Sequence, residues 1–260
     1  MKLAFMSSVL PGATLAELLA AGIEHGYAGL EFRPEWKHAH GIELDASADQ
    51  RSEAAKRLAD SPIEPCCLSP GVRFCSDEPG ARDAELATLG RYVDLAAEVG
   101  IGRIRVFGDT LPQSGRGARA RNYEAQAEYL ARGAEKAAAV GVRLVLETHC
   151  NFRAFDAGEV LFRAGYPKGL WVNWHLAHCL GHGEDVDEAY RHVKGRVAHC
   201  HFGLSKDAVQ KDGIERQLEL LRDDGFDGYF SVEVINPEDG PAVLADHAAA
   251  WQDLSAKLGL

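Results

Sequence analysis

At 260 residues, 46% hydrophobic and 26% charged, the chain has an ordinary globular composition and the length at which one parallel barrel closes, about 250 residues. Its net charge of −11 argues against nucleic acid, which is bound mainly through Lys and Arg; the densest basic cluster, Arg116, Arg119 and Arg121, sits in a Gly-rich loop. No apolar run approaches the roughly 18 residues that a membrane span needs, so no membrane partner is expected.

Taken in chain order, strands are expected at 2–6, 28–33, 62–68, 103–107, 142–148, 170–175, 196–202 and 228–235. The helices expected between and after them are 14–25, 47–60, 79–99, 122–140, 157–165, 184–194, 213–224 and 241–257. A phrase recurs along this series: an amphipathic stretch, a Gly, then a β-rich run. It reads His25-Gly26-Tyr27 before Leu30-Glu31-Phe32, Val99-Gly100-Ile101 before Ile104-Arg105-Val106-Phe107, Val140-Gly141-Val142 before Leu144-Val145-Leu146, and Asp224-Gly225-Phe226 before Tyr229-Phe230-Ser231-Val232. Gly just past a helix end supplies the left-handed cap. Repeated helix, Gly and strand units are the pattern of α/β architecture.

Eight alternating pairs, with no linker or low-complexity stretch between them, predict a single (β/α)₈ TIM-barrel domain over residues 1–260. The longest irregular pieces, 33–46, 69–78 and 108–121, all follow strands and so rise over the mouth where such barrels build their sites. The N-terminal segment lacks the long apolar core of a signal peptide. Cys66, Cys67, Cys75, Cys150, Cys179 and Cys200 form no Cys-x-x-Cys pair, and adjacent Cys66 and Cys67 are a poor start for a disulfide framework. Free thiols and a cytoplasmic location are expected.

Strand alternation selects the chemistry. Leu144 and Leu146 face the helices, which turns Val145 and Glu147 inward. The same period turns Asn173 and His175 inward from strand six, His199 and His201 from strand seven, and Ser231 and Glu233 from strand eight. Any one such His or Glu is an ordinary core or surface residue. Four at one height on consecutive strands are different, because inward carboxylates are costly unless paired or bound to a cation. Glu147, His175, His201 and Glu233 offer N and O ligands suited to one divalent metal ion. Asn173 is the alternative ligand from strand six, a residue pair deeper.

The phrases Leu146-Glu147-Thr148-His149, His175-Leu176-Ala177-His178, His199-Cys200-His201 and Ser231-Val232-Glu233, with Gly29-Leu30-Glu31-Phe32-Arg33 near the start, resemble the xylose-isomerase-like sugar isomerase/epimerase superfamily over the whole chain. The resemblance implies that Glu147, His175, His201 and Glu233 bind the metal. It also implies that Glu147 and Glu233 form the acid/base pair and that His149 and His178 touch substrate. Two departures stand out. The usual strand-six Asp is His175, which leaves the site one negative charge poorer and ranks Zn²⁺ or Mn²⁺ ahead of Mg²⁺ or Co²⁺. The usual His-x-Lys-Asp after strand seven is replaced by His201-Phe202-Gly203, with Lys206-Asp207 further on.

The chemistry that fits is proton abstraction next to a carbonyl of a small sugar-like substrate, through an enediolate, with Glu147 and Glu233 on opposite sides of the carbon. Isomerase and epimerase lead. A metal-dependent lyase acting as a dehydratase, and a non-catalytic metal- or ligand-binding barrel, remain open beside them. An abasic-site endonuclease is disfavoured by the charge. His199 is expected one layer below His201, orienting it. Arg73 and Phe74 are candidates to close over substrate, while His38 and His40 are ambiguous. Cys200 is turned outward, and Cys150 is filler. The Gly108-Asp109 to Gly117 run lacks the phosphate-loop pattern. Substrate identity and oligomeric state are not encoded in these features.

Overall fold

Eight strands pair in parallel, each with the next in the chain, and β8 returns to β1 to close a barrel in sequence order. The computed structural model describes residues 1–115, 117–204 and 208–260, without the side chains of 208–211. Arg116, Lys206 and Asp207 therefore lie outside the described residues. The strands are β1 (Lys2–Met6), β2 (Gly29–Phe32), β3 (Glu64–Leu68), β4 (Arg103–Phe107), β5 (Arg143–Glu147), β6 (Leu170–Asn173), β7 (Val197–Phe202) and β8 (Tyr229–Val232). The ring of helices runs α1 (Leu15–Glu24), α2 (Ala48–Ala59), α3 (Ala81–Val99), α4 (Ala118–Ala139), α5 (Ala154–Arg163), α6 (Leu176–Gly181), α7 (Val186–Val193), α8 (Ala208–Asp223) and α9 (Gly240–Leu258).

Local chemistry explains the helix starts. Thr14 and Ser47 cap α1 and α2 in reciprocal pairs with Glu17 and Gln50, and Asp185 and Asp239 cap α7 and α9. The four glycines of the recurring phrase, Gly26, Gly100, Gly141 and Gly225, all take positive φ, between 73 and 79°. Outward strand residues such as Phe5, Leu30, Leu144, Leu146, Val172 and Phe230 are sealed under the helices in one large apolar cluster. A smaller set that includes Ala4, Cys67, Val145 and Tyr229 packs separately. Ala198, expected to face the helices, belongs to this smaller set.

Two differences from the expected elements bear on the site. Strand six ends at Asn173, so His175 caps a short helix, α6, that six residues are too few to announce by periodicity. Strand eight ends at Val232, and Glu233 just beyond it still donates its backbone N–H to the Phe202 carbonyl of β7 at 3.0 Å. A 3₁₀ turn at Ser7–Val9 was likewise not expected.

The start of α9 presses on that turn. A Cβ on Gly240 would stand 2.3 Å from the Val9 carbonyl oxygen and 2.5 Å from Leu10 Cδ2. Gly240→Ala is expected to cost about 1–3 kcal/mol through overpacking. Gly12→Ala is the control, because nothing lies within 4 Å of its Cβ position. Thermal unfolding of the two variants checks this, and equal melting temperatures would refute it.

Candidate active site and metal centre

The ends of β5 to β8 converge at the C-terminal mouth. His201 Nδ1 lies 2.8 Å from Glu147 Oε1 and 3.1 Å from Glu233 Oε2. His175 Nδ1 lies 3.2 and 3.3 Å from the same two oxygens. Two nitrogens and two oxygens thus surround one point. A tetrahedral ion with bonds of about 2.0–2.1 Å holds its ligands roughly 3.3–3.4 Å apart, so this cage needs to open only slightly to grip one. The donor set, two imidazole nitrogens and two carboxylate oxygens, fits a divalent cation.

The electrostatics point the same way. Burial opposes a charged imidazole at His201, yet the negative charges of Glu233, Glu147 and Glu31 outweigh it and raise its pKa well above the ordinary value. Burial likewise opposes ionised Glu147, but His201 and Arg105 hold its carboxyl well below the usual range. The same balance, led by burial and then His201, lowers Glu233.

Beneath the cage lies a support that the residue reading did not assign. Glu31, on β2 and fully buried, meets His201 Nε2 at 3.0 Å through Oε1 and His199 Nε2 at 2.8 Å through Oε2. The Ser69 hydroxyl also donates to Glu31 Oε1. A proton on His201 Nε2, donated to Glu31, leaves Nδ1 as the lone pair facing the cage. The expected link between His199 and His201 is therefore indirect: no hydrogen bond joins the two rings, and each is fixed by the same carboxylate. Burial works against ionised Glu31, but His201 and His199 keep its pKa well below normal.

Arg105 was also missed. Its side chain is 2% exposed, with Nη1 3.4 Å from Glu147 Oε2 and Nη2 donating to the Ser69 carbonyl at 3.2 Å. Both residues carried a signal: a charge inside an otherwise apolar strand, Gly-Leu-Glu-Phe and Ile-Arg-Val-Phe, at an inward position of the alternation.

His149 and His178 come together beside the cage. The His149 ring stands 4.6 Å from His178, which stands 4.3 Å from His175. His149 Nδ1 meets Asp109 Oδ1 at 2.9 Å. Burial, with the nearby His175 and His149, pushes His178 down to about 4. Asn173, the alternative ligand, is in register with Glu147, and its amide has no hydrogen-bond partner.

The remaining candidates have other partners. Phe74 is core, stacked on Tyr129, and cannot close over a ligand. Arg73 lies over the Phe107 ring at 5.0 Å and donates through Nε to the Gly71 carbonyl. His40 is structural, accepting from Ile42 N and meeting the Arg33 carbonyl. His38 meets the Ser7 hydroxyl at 3.1 Å. Cys200 is buried in the outer cluster, whereas Cys150 is exposed at φ 48°.

A profile of the family described as xylose isomerase-like TIM barrel matches residues 19–254. The chain belongs to this family. Within the xylose isomerase-like TIM barrels it is similar to a curated 2-oxo-tetronate isomerase of Cupriavidus necator, 25% identical over 227 residues, or 82% of this chain and 84% of that one. Among solved structures it resembles an IOLI protein with a binding zinc atom, with a TM-score of 0.79 at 16% identity over 99% and 98% of the two chains. It also resembles an L-ribulose 3-epimerase, with a TM-score of 0.77 at 21% identity over 98% and 94%. The family and the curated isomerase point to an enzyme of the sugar isomerase/epimerase type, and the solved structures share its fold. No helix among the described residues is long and apolar enough to cross a membrane.

Proposed function

We propose that the chain is a divalent-metal-dependent isomerase or epimerase of small hydroxy-carbonyl sugars. Glu147, His175, His201 and Glu233 hold the ion, and Glu147 and Glu233 form the acid/base pair. The observation that carries this reading is the cage itself, with two carboxylate oxygens each 2.8–3.3 Å from two imidazole nitrogens at the barrel mouth. The similarity to a 2-oxo-tetronate isomerase supports the same class of reaction.

When bound, the ion supplies Lewis acidity toward a carbonyl oxygen. One glutamate takes the proton from the adjacent carbon, whose C–H electron pair becomes a C=C bond as the C=O pair moves onto oxygen. A carboxylate is a weak base toward carbon, so position decides the rate more than pKa. Return of the proton to the neighbouring carbon, while the hydroxyl proton passes to the former carbonyl oxygen, gives an isomer. Return to the opposite face, from the other glutamate once protonated, gives an epimer. His149 and His178 hold the substrate hydroxyls. Two nitrogen ligands rank Zn²⁺ and Mn²⁺ ahead of Mg²⁺ and Co²⁺. All six cysteines are unpaired, which supports a cytoplasmic setting.

The test is elemental analysis of the purified protein, then an assay of the metal-loaded form on ketoses and hydroxy-ketones, read by mass and stereochemistry. Unchanged mass with altered configuration is expected, and loss of water would make the enzyme a lyase. Chelation should reduce turnover to background, and Zn²⁺ or Mn²⁺ should restore it. It should also remove about 4 kcal/mol of stability if the ion is held at a thousand times its Kd. Full turnover in a metal-free preparation would overturn the reading.

A further inference from the structure

Arg33 lies two residues beyond Glu31, one inward step higher than the carboxylate that holds His201. Its backbone N–H donates to the Ser7 hydroxyl at 3.0 Å, and its guanidinium covers the Trp36 ring at 4.0 Å. The side chain is half-buried, yet among the described residues its guanidinium makes no hydrogen bond and no ion pair. The acids two residues to either side are engaged elsewhere, Glu31 by His199 and His201, and Glu35 by the Tyr92 hydroxyl at 2.6 Å and Gly71 N at 2.9 Å. Burial and the charge of Arg105 lower the pKa of Arg33, while Glu233, Glu147 and Glu35 raise it.

His38 stands beside it. The Ser7 hydroxyl that receives Arg33 N also meets His38 Nδ1, and the far nitrogen of this 7% exposed ring is buried without a partner.

We propose that the substrate carries an anionic group, a carboxylate or a phosphate, which Arg33 receives with His38 beside it while the hydroxy-carbonyl end sits at the cage. The enzyme thus acts on acid or phosphorylated derivatives in preference to free sugars. This rests on the metal-dependent isomerase reading above. A guanidinium fork matches either oxyanion with two parallel hydrogen bonds, and Trp36 keeps its plane fixed.

Two measurements test it independently. The first compares kcat/KM of wild type and Arg33→Met on matched four-carbon ketoses, 2-oxo acids and ketose phosphates. Wild type should favour one anionic set over the neutral one by about 10–100-fold, the size of hydrogen bonds to charged groups. In Arg33→Met that ratio should collapse, chiefly through KM, with the metal content unchanged; Arg33→Lys should recover part of it. The acid and phosphate arms identify the group.

The second titrates zinc-loaded protein calorimetrically with erythronate, erythritol phosphate and erythritol, none of which can react. An anionic probe should bind at least about 10-fold more tightly than erythritol, and Arg33→Met should erase the gap. Equal binding of all three, or a gap that survives in Arg33→Met, overturns the anion subsite whether or not turnover is found. Turnover that fails on every substrate while the binding gap holds would instead sink the isomerase reading.

Discussion

Glu233→Gln is expected to lower kcat by about 10²–10⁴-fold, the usual weight of a positioned proton-transfer group. The amide keeps the shape of the carboxylate but cannot take a proton from carbon. Glu147→Gln should lose at least as much. Its carboxylate also answers the buried guanidinium of Arg105 at 3.4 Å, and stripping one partner from a buried pair costs about 3–5 kcal/mol. Glu233 has no such partner and is 15% exposed, so its variant reads chemistry with the least disturbance of folding. The double variant should lose little more than the worse single one, because the two act as a unit. Steady-state kinetics with metal content measured in parallel decides this. Wild-type turnover in either variant would remove the assigned acid/base roles.

Glu31→Gln is expected to weaken metal affinity about 10–100-fold, the cost of losing an outer partner of a ligating His. Glutamine offers one acceptor and one donor where His201, His199 and Ser69 share two acceptor oxygens, so one imidazole is left facing an N–H. His201 then no longer keeps its lone pair reliably toward the cage. Activity plotted against Zn²⁺ concentration should shift to the right and recover substantially at saturation. A merely structural role would lower activity at all metal concentrations alike. Glu31→Ala should further destabilise the fold, since the buried Nε2 atoms of His199 and His201 both lose their hydrogen-bond partner.

Much of this arrangement was legible in the residues. The order of strands and helices follows from the repeated Gly phrase, and period-two alternation turned Glu147, His175, His201 and Glu233 inward, where their ligand atoms meet. Alternation is a local property, so it survives small errors in strand length: β6 stops at Asn173 and β8 at Val232, yet His175 and Glu233 still reach the cage. What the residues concealed depends on distant partners. Glu31 and Arg105 each look like an isolated charge in an apolar strand, and nothing nearby in sequence says what answers them. Phe74 resembled a loop residue free to close over the mouth, but its place in the core is set by Tyr129 on α4. Helix α6 was hidden for another reason, being too short to show a period at all.

The carboxylate of Glu31 touches imidazoles 168 and 170 positions further along the chain, and the barrel itself closes only when β8 pairs with β1. Such distant contacts are slow to form. During synthesis the cage therefore cannot assemble before the final strand, with Glu233 at its end, has emerged and docked. Capture of an ion in a refolding experiment would then mark the finish of folding, and a half-length fragment that keeps its helices should still hold no metal.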